Sequence, residues 1–159
     1  DSVLNMCDKL GVPVFIDCAY MIMSRNINFD FGRDCIKGAS FSMSKGFYGA
    51  EHLRIGLRLT EKFTDDSVEV FNQFEMINWI GPDVGLKIIE RFKTDYIQNK
   101  YYWSQRQVCE SLDITPTNCA IFGLTDDNHP QFKDNQRGTD WRRVCVSHLL
   151  GDMKDLQAS

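Results

Sequence analysis

The sequence predicts an α/β fold, a mostly parallel sheet with flanking helices over residues 1–95, followed by a small α+β unit over residues 96–159. Three observations carry this. The run Val12-Pro13-Val14-Phe15-Ile16-Asp17 is apolar until it ends in a carboxylate, the pattern of a strand buried on both faces of a parallel sheet. Segments of helical periodicity stand on either side of it. Past Pro116 the pattern changes to short apolar stretches separated by a polar one, so residues from about 96 onward read as a separate unit.

In order, Val3, Leu4, Met6, Cys7 and Leu10 give residues 1–10 a helical apolar face, and Gly11 stands where a C-terminal stop is common. The strand over Val12–Asp17 follows, with its acid at the C-terminal end, the edge where ligands bind in open α/β sheets. Ile36 to Ser44 reads as a second strand leading into Lys45, and Arg54 to Leu59 as a third, alternating Ile55, Leu57 and Leu59 against Arg54, Gly56 and Arg58. Asp65-Asp66 can cap a helix with Val68, Phe71, Phe74 and Ile77 on one side, closed by Gly81-Pro82. One long helix is expected from Val84 to about Leu112, ended by Pro116. Cys119 to Leu124 and Arg143 to Leu149 are the remaining strands, Thr125 to Asp140 is polar loop, and a short helix is expected from Asp152.

Composition excludes several classes of function. At 43% hydrophobic and 25% charged residues the 159-residue chain can bury a core. Its 18 Lys and Arg against 22 Asp and Glu leave a formal charge of −4, a poor balance for gripping nucleic acid. No run approaches the roughly 18–20 apolar residues of a membrane-spanning helix, and the N-terminus lacks the charged and apolar regions of a secretory signal. The absence of an initiator Met suggests a chain that begins inside a longer gene product. Six cysteines at wide spacings, with no Cys-x-x-Cys, fit reduced thiols in a cytoplasmic protein. Cys145 and His148, with His129 and Cys119 nearby in sequence, are the competing metal reading; a structural zinc site normally shows more than one closely spaced pair, so no metal is expected.

Chemistry concentrates in the first third. Asp17 is followed by Ala19-Tyr20; Ser42-Met43-Ser44-Lys45 sets small hydroxyls around one lysine; Arg54 stands two residues before Gly56. Each has an ordinary alternative, with Asp17 a turn or cap residue, Lys45 a solvated loop lysine and the serines turn formers. Their order and spacing, Lys45 standing 28 positions after Asp17, raise the functional reading.

With these motifs and Arg143-Val144-Cys145 near the end, the chain resembles the pyridoxal-phosphate enzymes of the aspartate-aminotransferase type, fold type I, aminotransferase class I/II, in their C-terminal portion. The resemblance implies a large-domain part over 1–95 and the small domain over 96–159. It implies Lys45 as the amine that forms a Schiff base with the cofactor and then shuttles a proton at the substrate α-carbon. Asp17 would hold the pyridinium nitrogen protonated. Tyr20 would hydrogen-bond the phenolic oxygen, with Ala19 beside it, and Ser42, Ser44 and Arg54 would hold the phosphate. Arg143 would take the substrate carboxylate, with Arg142 as the competitor because a one-residue slip exchanges strand faces. The segment Asn78 to Gly85 resembles the family stretch near a partner subunit's cofactor, which implies a homodimer, and reads equally as a helix-breaking turn. His52 reads as a loop residue.

Two departures stand out. The Lys45–Arg54 spacing is one residue longer than the common pattern, which Gly46 and Gly49 can absorb. The family's glycine-rich phosphate loop, its ring-stacking aromatic and its supporting Asn have no counterpart here and would lie ahead of Asp1. The expected activity is amino-group transfer between an amino acid and a 2-oxo acid. A decarboxylase, lyase or synthase on the same cofactor, or a truncated non-catalytic oligomerisation fragment, remain open.

Overall fold

The computed structural model describes residues 2–47, 50–63, 65–126, 128–135 and 138–151. It is a mixed α/β structure that divides into two units: Asp1–Ile22 with Ile27–Thr94, and Met23–Asn26 with the chain from Asp95 onward. The expected helix from Asp152 lies outside the described residues.

In the first unit, α1 (Ser2–Leu10) ends at Gly11, whose φ of +64° is the left-handed stop that a Cβ would disfavour. Asp8 ties α1 to the start of the sheet: its carboxylate accepts from the Cys35 N–H at 2.8 Å and from Arg33 Nε at 3.0 Å and Nη2 at 2.5 Å. The Cys35 thiol first, then the Arg33 fork and the Cys35 amide, lower the Asp8 pKa to about 2.

The sheet has the order β1 (Val14–Asp17), β2 (Ile36–Ser42), β3 (Gly56–Thr60). β1 is parallel to β2 and β3 antiparallel to it, so the sheet is mixed rather than mostly parallel. β1 is also not buried on both faces. It is an edge strand that alternates half-buried and exposed residues, with Phe15 55% exposed. Exposed apolar side chains recur on β3 at Leu57 and Leu59, while Arg58 sits over the Phe15 ring and pairs with Asp66.

The helices correct the expectations at three points. β2 stops at Ser42, and Lys45 lies in a one-turn helix, α2 (Met43–Gly46), because the Ser42 hydroxyl accepts the Lys45 N–H at 3.2 Å and caps the turn. α3 (Ser67–Gln73) is capped by Asp66, as its position predicts, through the N–H groups of Val68 and Glu69. Gly81-Pro82 opens α4 (Ile80–Arg91) instead of closing α3; a proline in the first helical turn forfeits no hydrogen bond. The expected long helix is two, α4 and α5 (Tyr96–Ser111), because Phe92 turns extended at φ −118°, ψ 133°.

The second unit packs α5 with an antiparallel sheet of β4 (Thr115–Pro116), β5 (Phe122–Asp126) and β6 (Trp141–Cys145). Both longer strands are displaced from the expected ranges, and the chain after β6 forms a tight turn over Ser147–Leu149. Met23, Cys109, Val146 and Leu150 are its fully buried side chains. Gln105, 2% exposed, donates its amide to the carbonyls of Thr117, Cys119 and Phe122 at 3.1, 2.7 and 2.8 Å, so a buried polar side chain satisfies the turn entering β5.

Candidate active site

Because β1 and β2 run parallel, their C-terminal ends share one edge of the first sheet. Asp17 ends β1 opposite Ser40, and the Cys18 N–H donates to the Ser40 carbonyl at 2.8 Å, one rung further. β3 enters antiparallel with Gly56 opposite Ser42, which brings Arg54 to the same edge. Six residues singled out from sequence, Asp17, Tyr20, Ser42, Ser44, Lys45 and Arg54, are thus gathered at or beside one end of three strands.

Asp17 Oδ1 accepts the Ala19 N–H at 2.9 Å, a turn that sends the chain off the strand end, and Asp17 itself is exposed while Cys18 and Ala19 are buried. Burial, and secondarily the charge of Asp17, push the Cys18 thiol pKa up, so this thiol is held protonated. Tyr20 follows, and Lys45 Nζ lies 4.7 Å from the centroid of its ring. Ile22 fixes this approach. Its side chain occupies the space a Cβ on Gly46 would need, so the turn after Tyr20 packs directly on α2.

Ser44 is 4% exposed, and its hydroxyl is committed. It donates to the Ile55 carbonyl at 3.1 Å and accepts the Ile55 N–H at 2.7 Å. The Met43 and Ser44 N–H groups reach the same carbonyl, both at 3.1 Å. A hydroxyl has one proton. Ser44 therefore clamps α2 to the residue ahead of β3, and in this arrangement it does not have a proton to offer a phosphate. Ser42 spends an acceptor on the cap and keeps its proton.

Arg54 is exposed and left-handed, at φ 52° and ψ 48°, a conformation that costs a non-glycine residue of order 1 kcal/mol. Among the described residues no carboxylate pairs with Arg54 or with Lys45. Gly56 is required two residues on, since a Cβ there would meet the Phe41 carbonyl oxygen. Tyr48 and Gly49, part of the lengthened Lys45–Arg54 spacing, lie outside the described residues. His52 is exposed in the short turn Glu51–Leu53.

The segment Asn78 to Gly85 leads into and forms the first turn of α4. Gly81 and Gly85 are buried, with Ile55 where a Cβ on Gly81 would stand and Met43 Sδ 3.6 Å from the Cβ position of Gly85. Trp79 and Ile80 are exposed. In the second unit, Arg142 and Arg143 take opposite faces of β6. Arg142 lies on the inner face with Val144, 8% exposed, and Arg143 opposite Leu124 on the more open face, its guanidinium 4.4 Å from the Phe122 ring centroid.

An open groove of about 480 Å³ on the first unit is lined by Phe31, Ile36, Phe41 and Leu59 among others, and none of the candidate residues lines it. All six cysteines are free, and no cluster of His, Cys, Asp or Glu suited to a metal ion occurs among the described residues. No helix among them is long and apolar enough to cross a membrane.

Sequence reasoning did not anticipate the cation–ring approach of Lys45 to Tyr20 or the clamp at Ile55. The first follows from Gly46, whose missing side chain admits Ile22. The second is a main-chain interaction, for which the identity of Ile55 carries no signal.

No protein-family model and no curated protein matches the chain. Among solved structures it is similar to tyrosine aminotransferase from Leishmania infantum, at 14% sequence identity and a TM-score of 0.54. The match covers 97% of this chain and 49% of that one, so the chain spans about half the length of the aminotransferase it resembles. The two share an aminotransferase-like fold over that half.

Proposed function

We propose that this chain is part of a pyridoxal-phosphate-dependent aminotransferase that moves an amino group between an amino acid and a 2-oxo acid. One observation carries the reading: an amine, a carboxylate, a phenol and a guanidinium, on Lys45, Asp17, Tyr20 and Arg54, converge on one strand-end edge of an aminotransferase-like fold. This donor set fits the cofactor. Neither cation is neutralised by a carboxylate among the described residues, and Asp17 keeps an oxygen beyond the one given to Ala19.

Bound there, pyridoxal phosphate supplies an electron sink for a carbanion at the substrate α-carbon. The chain's own residues hold and serve it. The Asp17 carboxylate would anchor a ring-nitrogen proton, a charge-assisted bond that strengthens as water is excluded. Arg54 would grip phosphate oxygens with its planar fork, and Ser42 would donate its hydroxyl proton to them. Lys45 Nζ would hold the cofactor through its amine and, once the substrate amine has displaced it, the freed amine would carry a proton from the substrate α-carbon to the cofactor. Tyr20 orients it through the ring face and presents a phenol as hydrogen-bond donor. Arg143, on the open face of β6, would receive the substrate carboxylate.

Exposed apolar side chains on the first unit, Phe15, Leu57, Leu59, Trp79 and Ile80, favour an assembled state, and we assign the active form to a homodimer. Six free thiols favour a reducing compartment, the cytoplasm.

The test is to incubate the 159-residue chain with pyridoxal phosphate, reduce with borohydride and map the modified peptide. The expected result is a single cofactor mass on Lys45, lost in Lys45→Ala together with visible absorbance. Labelling spread over other lysines and unchanged by Lys45→Ala would refute the assignment.

A further inference from the structure

Residues paired across an antiparallel ladder share a face of the sheet. In the second unit Leu124 stands opposite Arg143, Phe122 opposite Cys145 and Asp126 opposite Trp141, so these six side chains belong to the open face of β5 and β6. Phe122 is the most enclosed of them at 8% exposed, and close packing holds its ring in one place. The Arg143 guanidinium carbon lies 4.4 Å from the centroid of that ring, a diagonal contact between the two strands.

This contact leaves the donors of Arg143 uncommitted. Among the described residues no carboxylate is within ion-pair reach of it. Asp126, the carboxylate of this face, gives Oδ1 to the Asn128 N–H. Arg143 is half-buried, and none of its nitrogens is a buried atom lacking a partner. The N–H groups of a guanidinium lie in its own plane, so a ring at its face competes with none of them. An arginine standing alone loses rotamer freedom when its fork closes on a carboxylate, and that loss subtracts from affinity. A cation already resting on a fixed ring has met part of it before the carboxylate arrives.

We propose that Phe122 is a positioning residue for the substrate carboxylate: its ring presets the Arg143 fork, and it acts on binding through Arg143 alone. The inference rests on the reading of Arg143 given above and adds a residue of the neighbouring strand to that site.

Propanoate is the probe, titrated into the 159-residue chain at constant ionic strength and followed by the Arg Nε–H resonances, with Arg143→Gln identifying the one that belongs to Arg143. In the wild type this resonance should stand upfield, in the shielding field of the ring, and should move saturably with propanoate. Phe122→Leu should return it to the unshielded position and weaken propanoate about two- to fivefold, the loss of one cation–ring contact. Phe122→Tyr keeps the ring and should restore both the position and the affinity. Circular dichroism checks that each variant is folded, and the wild-type position carries the test even if Phe122→Leu does not fold: an unshielded Arg143 resonance there overturns the proposal. A folded Phe122→Leu that binds propanoate as tightly as wild type overturns the role of Phe122 and leaves Arg143 as the carboxylate site. Propanoate that fails to move the Arg143 resonance in the wild type overturns both.

Discussion

Ser44→Ala separates a structural hydroxyl from a ligand-binding one. In the folded chain the Ile55 N–H has the Ser44 oxygen, at 2.7 Å, as its acceptor, while the Ile55 carbonyl has the N–H groups of Met43 and Ser44 besides the hydroxyl. Removing the hydroxyl therefore strands the N–H far more than the carbonyl. A stranded buried donor costs about 1–3 kcal/mol. Taking about 2 kcal/mol and a urea dependence of about 2 kcal/mol per molar, the unfolding midpoint should fall by about 1 M. The loss should be the same with and without pyridoxal phosphate, because the hydroxyl serves the backbone in both cases. Urea titrations of wild type and variant, each with and without the cofactor, measure it. A midpoint unchanged without cofactor, with a deficit only in its presence, would show that Ser44 donates to the phosphate and that the clamp at Ile55 is dispensable.

Three other outcomes follow from the same structure. Gly56→Ala should destabilise by about 1–3 kcal/mol, lowering Tm by several degrees, because the new Cβ meets the Phe41 carbonyl and backbone cannot yield as a side chain can; differential scanning calorimetry reads it. Gln105→Leu keeps volume but removes the donor to three carbonyls, and should cost about 2–3 kcal/mol in chemical denaturation. The Asp8 carboxyl is lowered to about 2 in the folded chain against roughly 3.9 when unfolded, so its contribution is present above pH about 4 and disappears as pH falls toward 2. Acid titrations of wild type and Asp8→Asn should diverge at pH 5–7 and converge below pH about 2.

Elements with strong local chemistry were legible in the sequence. The Gly11 stop, the Asp66 cap and the placing of Asp17 at a strand end all follow from short-range rules, and the structure has them. Failures arose where a non-local partner decides. The run Val12–Asp17 reads as doubly buried, but the number of strands beside it and the elements over its faces determine burial, and neither is encoded in the run. Gly81-Pro82 reads as a stop because the same dipeptide suits a turn and a first helical turn, and only the packing of Gly81 and Gly85 against Ile55 and Met43 decides between them. The helix break at Phe92 has no glycine or proline to announce it. In the second unit the bonding of Gln105 to the turn carbonyls of Thr117, Cys119 and Phe122 is a tertiary contact that nothing local in the sequence marks.

The motifs of the strand-end edge also owe part of their composition to the backbone. Asp17 closes a turn on Ala19, Ser42 caps α2, Ser44 clamps Ile55, and Gly46 and Gly56 admit close neighbours, so each would be favoured in a chain with this fold and no chemistry. Lys45 and Arg54 are different. Neither caps a helix, pairs with a carboxylate among the described residues or fills the core, and Arg54 accepts a left-handed backbone that glycine or asparagine would adopt more cheaply. Lys45 and Arg54 are both exposed, so neither contributes a buried contact to the fold. The proposed function therefore rests on Lys45 and Arg54 more than on the serines and glycines that frame them, and Lys45→Ala and Arg54→Gln are the substitutions that test it.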